Sequence, residues 1–286
     1  VLLLALTVVS GLAAATGLPR KPSIVHTPQV EHPAAGDAPG YRAELADIAE
    51  RYTSLYYNAD LRGALAEARH GLALAEKAAN ARDEAQFLKS VAYVSWLLGD
   101  AAGALEAAQR LLDLANPLDV DRLRSHAHRN LGTANRQLGD SAKDTANTEA
   151  ALAFATRAGD DGLRYGALNN LGNIALARGD FARARQIHTE VLAYRERAGD
   201  PWDVAGSITN LADVAFAERK FAEALVLQER ALRLRQEIGD QRGVVRSLRQ
   251  VASALRALGR TDEALVRLDE ALAGAAKITG HELLRD

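Results

Sequence analysis

From residue 41 onward the dipeptide Gly-Asp stands at residues 99–100, 139–140, 159–160, 179–180, 199–200 and 239–240, always at a multiple of twenty residues from its neighbours. At a helix boundary, glycine takes the left-handed conformation that closes one helix. Aspartate then caps the next helix by accepting bonds from its free N–H groups. Asp200-Pro201 adds a proline at the favoured first helical position. Each Gly-Asp therefore predicts one helix stopping and another starting. A step of twenty leaves helices of about 17–18 residues, each about 26 Å long at 1.5 Å per residue.

Alternate helices differ, so the full period is forty. Six rows align without a gap, beginning near residues 45, 85, 125, 165, 205 and 245. One column reads Leu72, Leu112, Leu152, Leu192, Leu232, Leu272; another reads Ile48, Leu88, His128, Leu168, Ile208, Leu248. A third reads Ala64, Ala104, Asp144, Ala184, Ala224, Ala264, and a fourth Tyr52, Ala92, Gly132, Gly172, Ala212, Ala252. Large apolar columns fill space between helices, and small ones let two backbones approach. A regular period of this size marks stacked repeats, each burying its apolar face on the next.

Composition narrows the function. The chain is 48% hydrophobic with a net charge of −2, so it lacks the basic footprint of a nucleic-acid binder. Its wealth of Ala and Leu favours helix. The absence of cysteine excludes disulfides, thiolate metal sites and cysteine nucleophiles, and leaves the redox compartment open. Methionine is absent too, even at position 1, which leads us to expect a natural N-terminus further upstream.

The ends read differently from the middle. Residues 1–17 hold the apolar run VLLLALTVVSGLAAA, whose Ala13-Ala14-Ala15 has the form of a signal-peptidase site. The run is short for a membrane span, so the reading is an export signal, with a membrane anchor as the other possibility. Export to a bacterial periplasm, or tethering to its membrane, is the expected location. Residues 18–40 carry five of the seven prolines and read as a linker. Residues 41–280 hold the six repeats. Residues 281–286, after Gly280, read as the start of a further helix. Without a following helix, Leu265, Leu268 and Leu272 would lie uncovered, so we expect the natural chain to continue.

Segments such as NNLGNIALARGDFARARQIHTEVL (169–192) and TNLADVAFAERKFAEALVLQERAL (209–232) resemble tetratricopeptide repeats. The likeness lies in the Leu-Gly/Ala pair, the turn after the first helix, the aromatic that follows, and the small residue of the second helix. The spacing of forty is similar to the kinesin-light-chain subclass. The resemblance covers about 41–280 and implies an all-α, right-handed superhelical solenoid of six helical hairpins. Two departures stand out. Asp144 occupies a small-residue column, which suggests a rotated helix with the acid at an edge; a functional buried acid is the sharper reading. Arg219-Lys220 replaces Gly-Asp, which suggests a turn built some other way.

No constellation for catalysis stands out. The phosphate loops, metal-protease motif and nucleophile elbow are all absent. His126 and His128 are two apart and point differently on a helix, and His128 falls in an apolar column as a packed residue would. Asp160-Asp161 reads as a cap followed by a first-turn acid. The chain is thus expected to be non-catalytic, with no cofactor and no metal.

The informative surface is a stripe along the first helix of each row. Row three gives His126, Asn130, Thr133 and Gln137; row four Gly166, Asn170, Asn173 and Ala177; row five Gly206, Asn210, Asp213 and Ala217; row six Arg246, Gln250, Ser253 and Ala257. Asn130, Asn170 and Asn210 share one column. An amide can pair with both backbone groups of an extended peptide, while asparagine could also serve there to bond a neighbouring helix. The small residues would leave room for peptide side chains. Arg129, Arg246 and Arg249 would favour acidic residues, Asp213 a basic one, and Asn169 and Asn173 complete the set. In the resembled family this face lines a concave groove for ligand peptides. Tyr56, Tyr57, Tyr93 and Trp96 either extend the groove or fill gaps between helices. The expected function is a protein- or peptide-binding scaffold. Rival readings are a sensory region of a larger membrane signalling protein with a kinase or cyclase output, a self-associating structural repeat, and a helical-repeat lytic enzyme.

Overall fold

The computed structural model describes residues 40–57 and 60–283, with backbone only for Tyr57 and for residues 278–283. The segments read as signal (1–17) and linker (18–40) lie outside the described residues except for Gly40, as does the end of the chain at 284–286.

Twelve helices and no strand make up the described residues. They are α1 (Tyr41–Tyr57), α2 (Leu61–Lys77), α3 (Ala81–Leu97), α4 (Ala101–Ala115), α5 (Asp121–Gln137) and α6 (Ser141–Arg157). Then follow α7 (Asp161–Ala177), α8 (Phe181–Ala198), α9 (Pro201–Ala217), α10 (Phe221–Glu237), α11 (Gln241–Ala257) and α12 (Thr261–Leu283). The chain divides within α8, between Tyr194 and Arg195, into two compact units. In each, hairpins of successive helices stack as in an all-α solenoid.

In the N-terminal unit, α1 to α7 pack in chain order, and α3 also touches α5, as α5 touches α7. Odd-numbered helices therefore lie on the inner side of this stack. Its core holds Leu45, Ile48, Tyr52, Phe87, Leu88 and Leu111, with a second cluster of Tyr165, Ile187 and Val191. Tyr56 and Tyr93 pack against the main core, and the Trp96 ring lies tilted against Tyr93 at 5.7 Å, so these aromatics fill gaps between helices. The small column works as expected: a Cβ on Gly172 would fall 2.7 Å from the His188 ring. In the C-terminal unit, α9 to α12 pack in order around Leu225, Leu248, Val251 and Leu255.

The turns follow the local chemistry. The glycines of the six Gly-Asp pairs have φ between 63° and 84°. The aspartate side chains accept the first free amides, Asp240 from Gly243 at 2.8 Å and Asp160 from Leu163 at 3.0 Å. Asp200 caps Trp202 and Asp203, with Pro201 opening α9. At five of these turns the glycine and aspartate amides reach back to the last carbonyls, as Gly99 does to Trp96 and Asp100 to Ser95.

Three expectations are corrected. The turn at Arg219-Lys220 uses the same geometry as the others: Arg219 has φ 63°, and its amide and that of Lys220 bond Phe216 and Ala215. Both the glycine and the capping acid are missing: a side chain at 219 is held where it costs about 1–2 kcal/mol, and Lys220 gives α10 no side-chain cap. Asp144 is not at an edge. It is 3% exposed, and Arg136 reaches back over the turn to hold both its oxygens. Finally, α12 continues through Gly280 to Leu283 without the turn expected there. Leu265, Leu268 and Leu272 are exposed, Leu272 to 69%.

Candidate functional site

The inner face of the N-terminal unit is built by α3, α5 and α7. Asn130 is 5% exposed, and its amide nitrogen is buried without a partner among the described residues. Asn170, at the same position of α7, is 9% exposed. Asn169 and Asn173 are half-buried beside it. Arg129 is half-buried, with one guanidinium nitrogen 3.4 Å from His126 Nδ1. The other stands 3.3 Å from where a Cβ on Gly166 would be, so the room expected over Gly166 is taken by the protein's own arginine.

The sequence reading missed Lys89 on α3. It is 8% exposed, and its Nζ donates to Gln86 Oε1 at 2.7 Å. No carboxylate pairs with it among the described residues. Burial above all, with the charges of Arg129 and Arg122, lowers its pKa to about 8. Lys89 lies forty residues before Arg129, so the repeat period contained the signal.

The C-terminal unit carries the remaining predicted residues. Asn210 on α9 is half-buried, and Arg246 and Arg249 on α11 are exposed. Asp213 Oδ1 accepts from Gln228 Nε2 at 3.3 Å and from Gln250 Nε2 at 3.0 Å. Burial pushes the Asp213 carboxyl up to about 6, against the opposing pull of Arg246, Arg235 and the Gln250 bond. Gln228 on α10 was also missed. Its column reads Ala68, Ala108, Thr148, His188 and Gln228, so the change from small to polar at the third row was the readable signal. Arg195 and Arg235, forty apart, are both buried and both donate to a serine twelve residues on, Ser207 and Ser247. A cavity of about 460 Å³ opens between α11 and α12, lined by Arg246, Arg249, Gln250, Leu265 and Leu268.

His128 is packed rather than poised. His128 stacks on Phe154 at 5.4 Å and bonds Asn147 at 2.9 Å. Asp160 caps α7 and pairs with Arg122, while Asp161 pairs with Arg164. Among the described residues, no group of three His, Asp or Glu side chains could hold a metal. No described helix is long and apolar enough to cross a membrane.

The family described as Tetratricopeptide repeat matches residues 203–277 and, in a second form, 166–198. Residues 166–198 and 203–277 are tetratricopeptide repeats. Among solved structures, these repeats are similar to BtubC (BKLC) of P. vanneervenii, with a TM-score of 0.57 and 20% identity over 85% of this chain and 94% of that one. A Rap protein complexed with competence and sporulation factor gives 0.65 and 15%, over 83% and 76%. Kinesin light chain repeats of P. anserina give 0.52 and 18%, over 67% and 94%. No curated protein matches the sequence. At these identities the likeness is one of fold: a tetratricopeptide scaffold with forty-residue units of the kinesin-light-chain kind.

Proposed function

We propose that this tetratricopeptide protein is a non-catalytic scaffold that binds a protein or peptide ligand on its first-helix faces. One observation carries the reading. On the inner face of the N-terminal unit, the Asn130 amide nitrogen is buried with no acceptor among the described residues. A buried donor left unmatched costs about 1–3 kcal/mol, and a ligand carbonyl would relieve that cost. Lys89, equally buried and without an acid, adds a preference for acidic ligands. The Rap structures, solved with competence and sporulation factor and with the Phr* peptide, support this use of the fold.

The test is selection of displayed peptides against the full chain, followed by titration of the winners. Asn130→Ala with Asn170→Ala should weaken binding at least about tenfold, a loss near 1.4 kcal/mol, with the melting curve almost unmoved. Failure to select any peptide, or equal binding by the double variant, would sink the reading. We also propose export, on the strength of the apolar run in residues 1–17. A reporter active only outside the cytoplasm, fused after residue 40, tests it; an inactive reporter would count against export.

A further inference from the structure

The second site lies in the C-terminal unit, and its unmatched groups are acceptors. Three helices converge there: α9 brings Asp213, α10 brings Gln228 and α11 brings Gln250. Both glutamines spend their NH₂ groups on the same carboxylate oxygen, Asp213 Oδ1. That choice fixes their orientation, because turning either amide over would set oxygen against oxygen. Gln228 Oε1 and Gln250 Oε1 are thereby left buried with no donor among the described residues. Gln228 is 3% exposed, so its carbonyl oxygen is committed to the interior. Asp213 and Gln250 are half-buried and give the cluster its opening.

Two amide oxygens and a carboxylate offer unmatched acceptors and one negative charge. A primary ammonium is the complementary group: it has three N–H donors and one positive charge on a compact head. A guanidinium is a planar fork suited to a bidentate carboxylate, and Asp213 already spends one of its two oxygens on the glutamines. The cations nearby do not fill the place. Arg235 is committed to Ser247, Thr209 and Asp240. Arg246 is exposed at the rim, where solvent and salt screen it.

We propose that Asp213, Gln228 and Gln250 form a receptor for a primary ammonium group, a lysine side chain or the free amine of a chain end. The site is separate from the asparagines of the N-terminal unit and does not depend on peptide binding there.

The side-chain amide signals of Gln228 and Gln250 report on it directly by NMR. Butylammonium stands for a lysine side chain, glycinamide for a chain N-terminus, and tetramethylammonium supplies charge without N–H donors. Both primary amines should shift the two amides saturably, and the tighter one identifies the source. Tetramethylammonium should not. Asp213→Asn should weaken the effect at least about tenfold, and Gln228→Leu provides a second variant that keeps the carboxylate. Arg246→Ala should strengthen binding by removing a competing charge. Binding should also fall as pH drops through about 6, where Asp213 takes up its proton. Equal shifts with tetramethylammonium, or in Asp213→Asn, would reduce the effect to ionic screening and overturn the proposal. So would the absence of any saturable shift, which would mean that water satisfies the two oxygens.

Discussion

The guanidinium of Arg136 holds both carboxylate oxygens of Asp144, at 2.7 and 3.0 Å. Asp144 also receives the Thr148 hydroxyl, so the acid is fully occupied inside the hairpin. Arg136→Ala would strand a buried carboxylate and should cost about 2–3 kcal/mol. Asp144→Ala, which restores the residue used elsewhere in that column, should cost far less. The double variant should then melt close to the parent. A double-mutant cycle by urea denaturation checks this, and equal losses from the two single changes would refute it.

Gly172 and Gly166 stand six residues apart on α7 and should respond oppositely to alanine. A Cβ at 172 meets the buried His188 ring at 2.7 Å. Gly172→Ala should therefore cost about 1–3 kcal/mol through overpacking. At 166 the nearest atom is the end of the Arg129 side chain, at 3.3 Å, which can move aside. Gly166→Ala should stay within about 0.5 kcal/mol of the parent or gain from helix propensity. Thermal melts of the two variants give the comparison.

Arg219 occupies the left-handed conformation that glycine fills at the Gly-Asp turns. Arg219→Gly removes the steric cost and adds freedom to the unfolded chain, so the net gain should be about 0.5–1 kcal/mol. Gly199→Val is the reverse experiment and should destabilise the chain strongly, because a β-branched residue resists positive φ. If neither moves the melting temperature, these turns are not held by backbone conformation.

Lys89 predicts a pH dependence with a definite sign. Its folded pKa is lowered to about 8, so above pH 8 the unfolded chain keeps a proton that the folded chain has lost. Below about 8 both states are charged, and the burial penalty acts in full. Stability should climb as pH rises from about 8 towards the ordinary lysine value near 10.4. Lys89→Gln should remove that climb and stabilise the chain at neutral pH. Urea midpoints across the alkaline range test both statements.

The helix boundaries were readable because Gly-Asp acts through its own few backbone groups. What escaped the sequence depends on side chains meeting across a turn. Asp144 looked out of place because the reach of Arg136 from eight residues back is a property of the folded hairpin. Arg219 looked like a different turn because its neighbours' amides, rather than its own identity, impose the conformation. The asparagine stripe was legible from spacing, but packing decided that the Asn130 nitrogen would be buried. Lys89 was passed over because the polar stripe was taken to begin with the third row, when its column had already begun one row earlier.

Most junctions in this chain close on themselves, with a left-handed residue, returning amides and a capping acid drawn from the same short stretch of backbone. Such a joint carries little information about the units it connects. A duplicate of residues 161–200 placed after Asp200 would meet the chemistry that its original already has on either side. Length in a molecule of this kind can therefore be gained or lost by whole cassettes, with selection acting on the surface each cassette presents and leaving its fastenings alone.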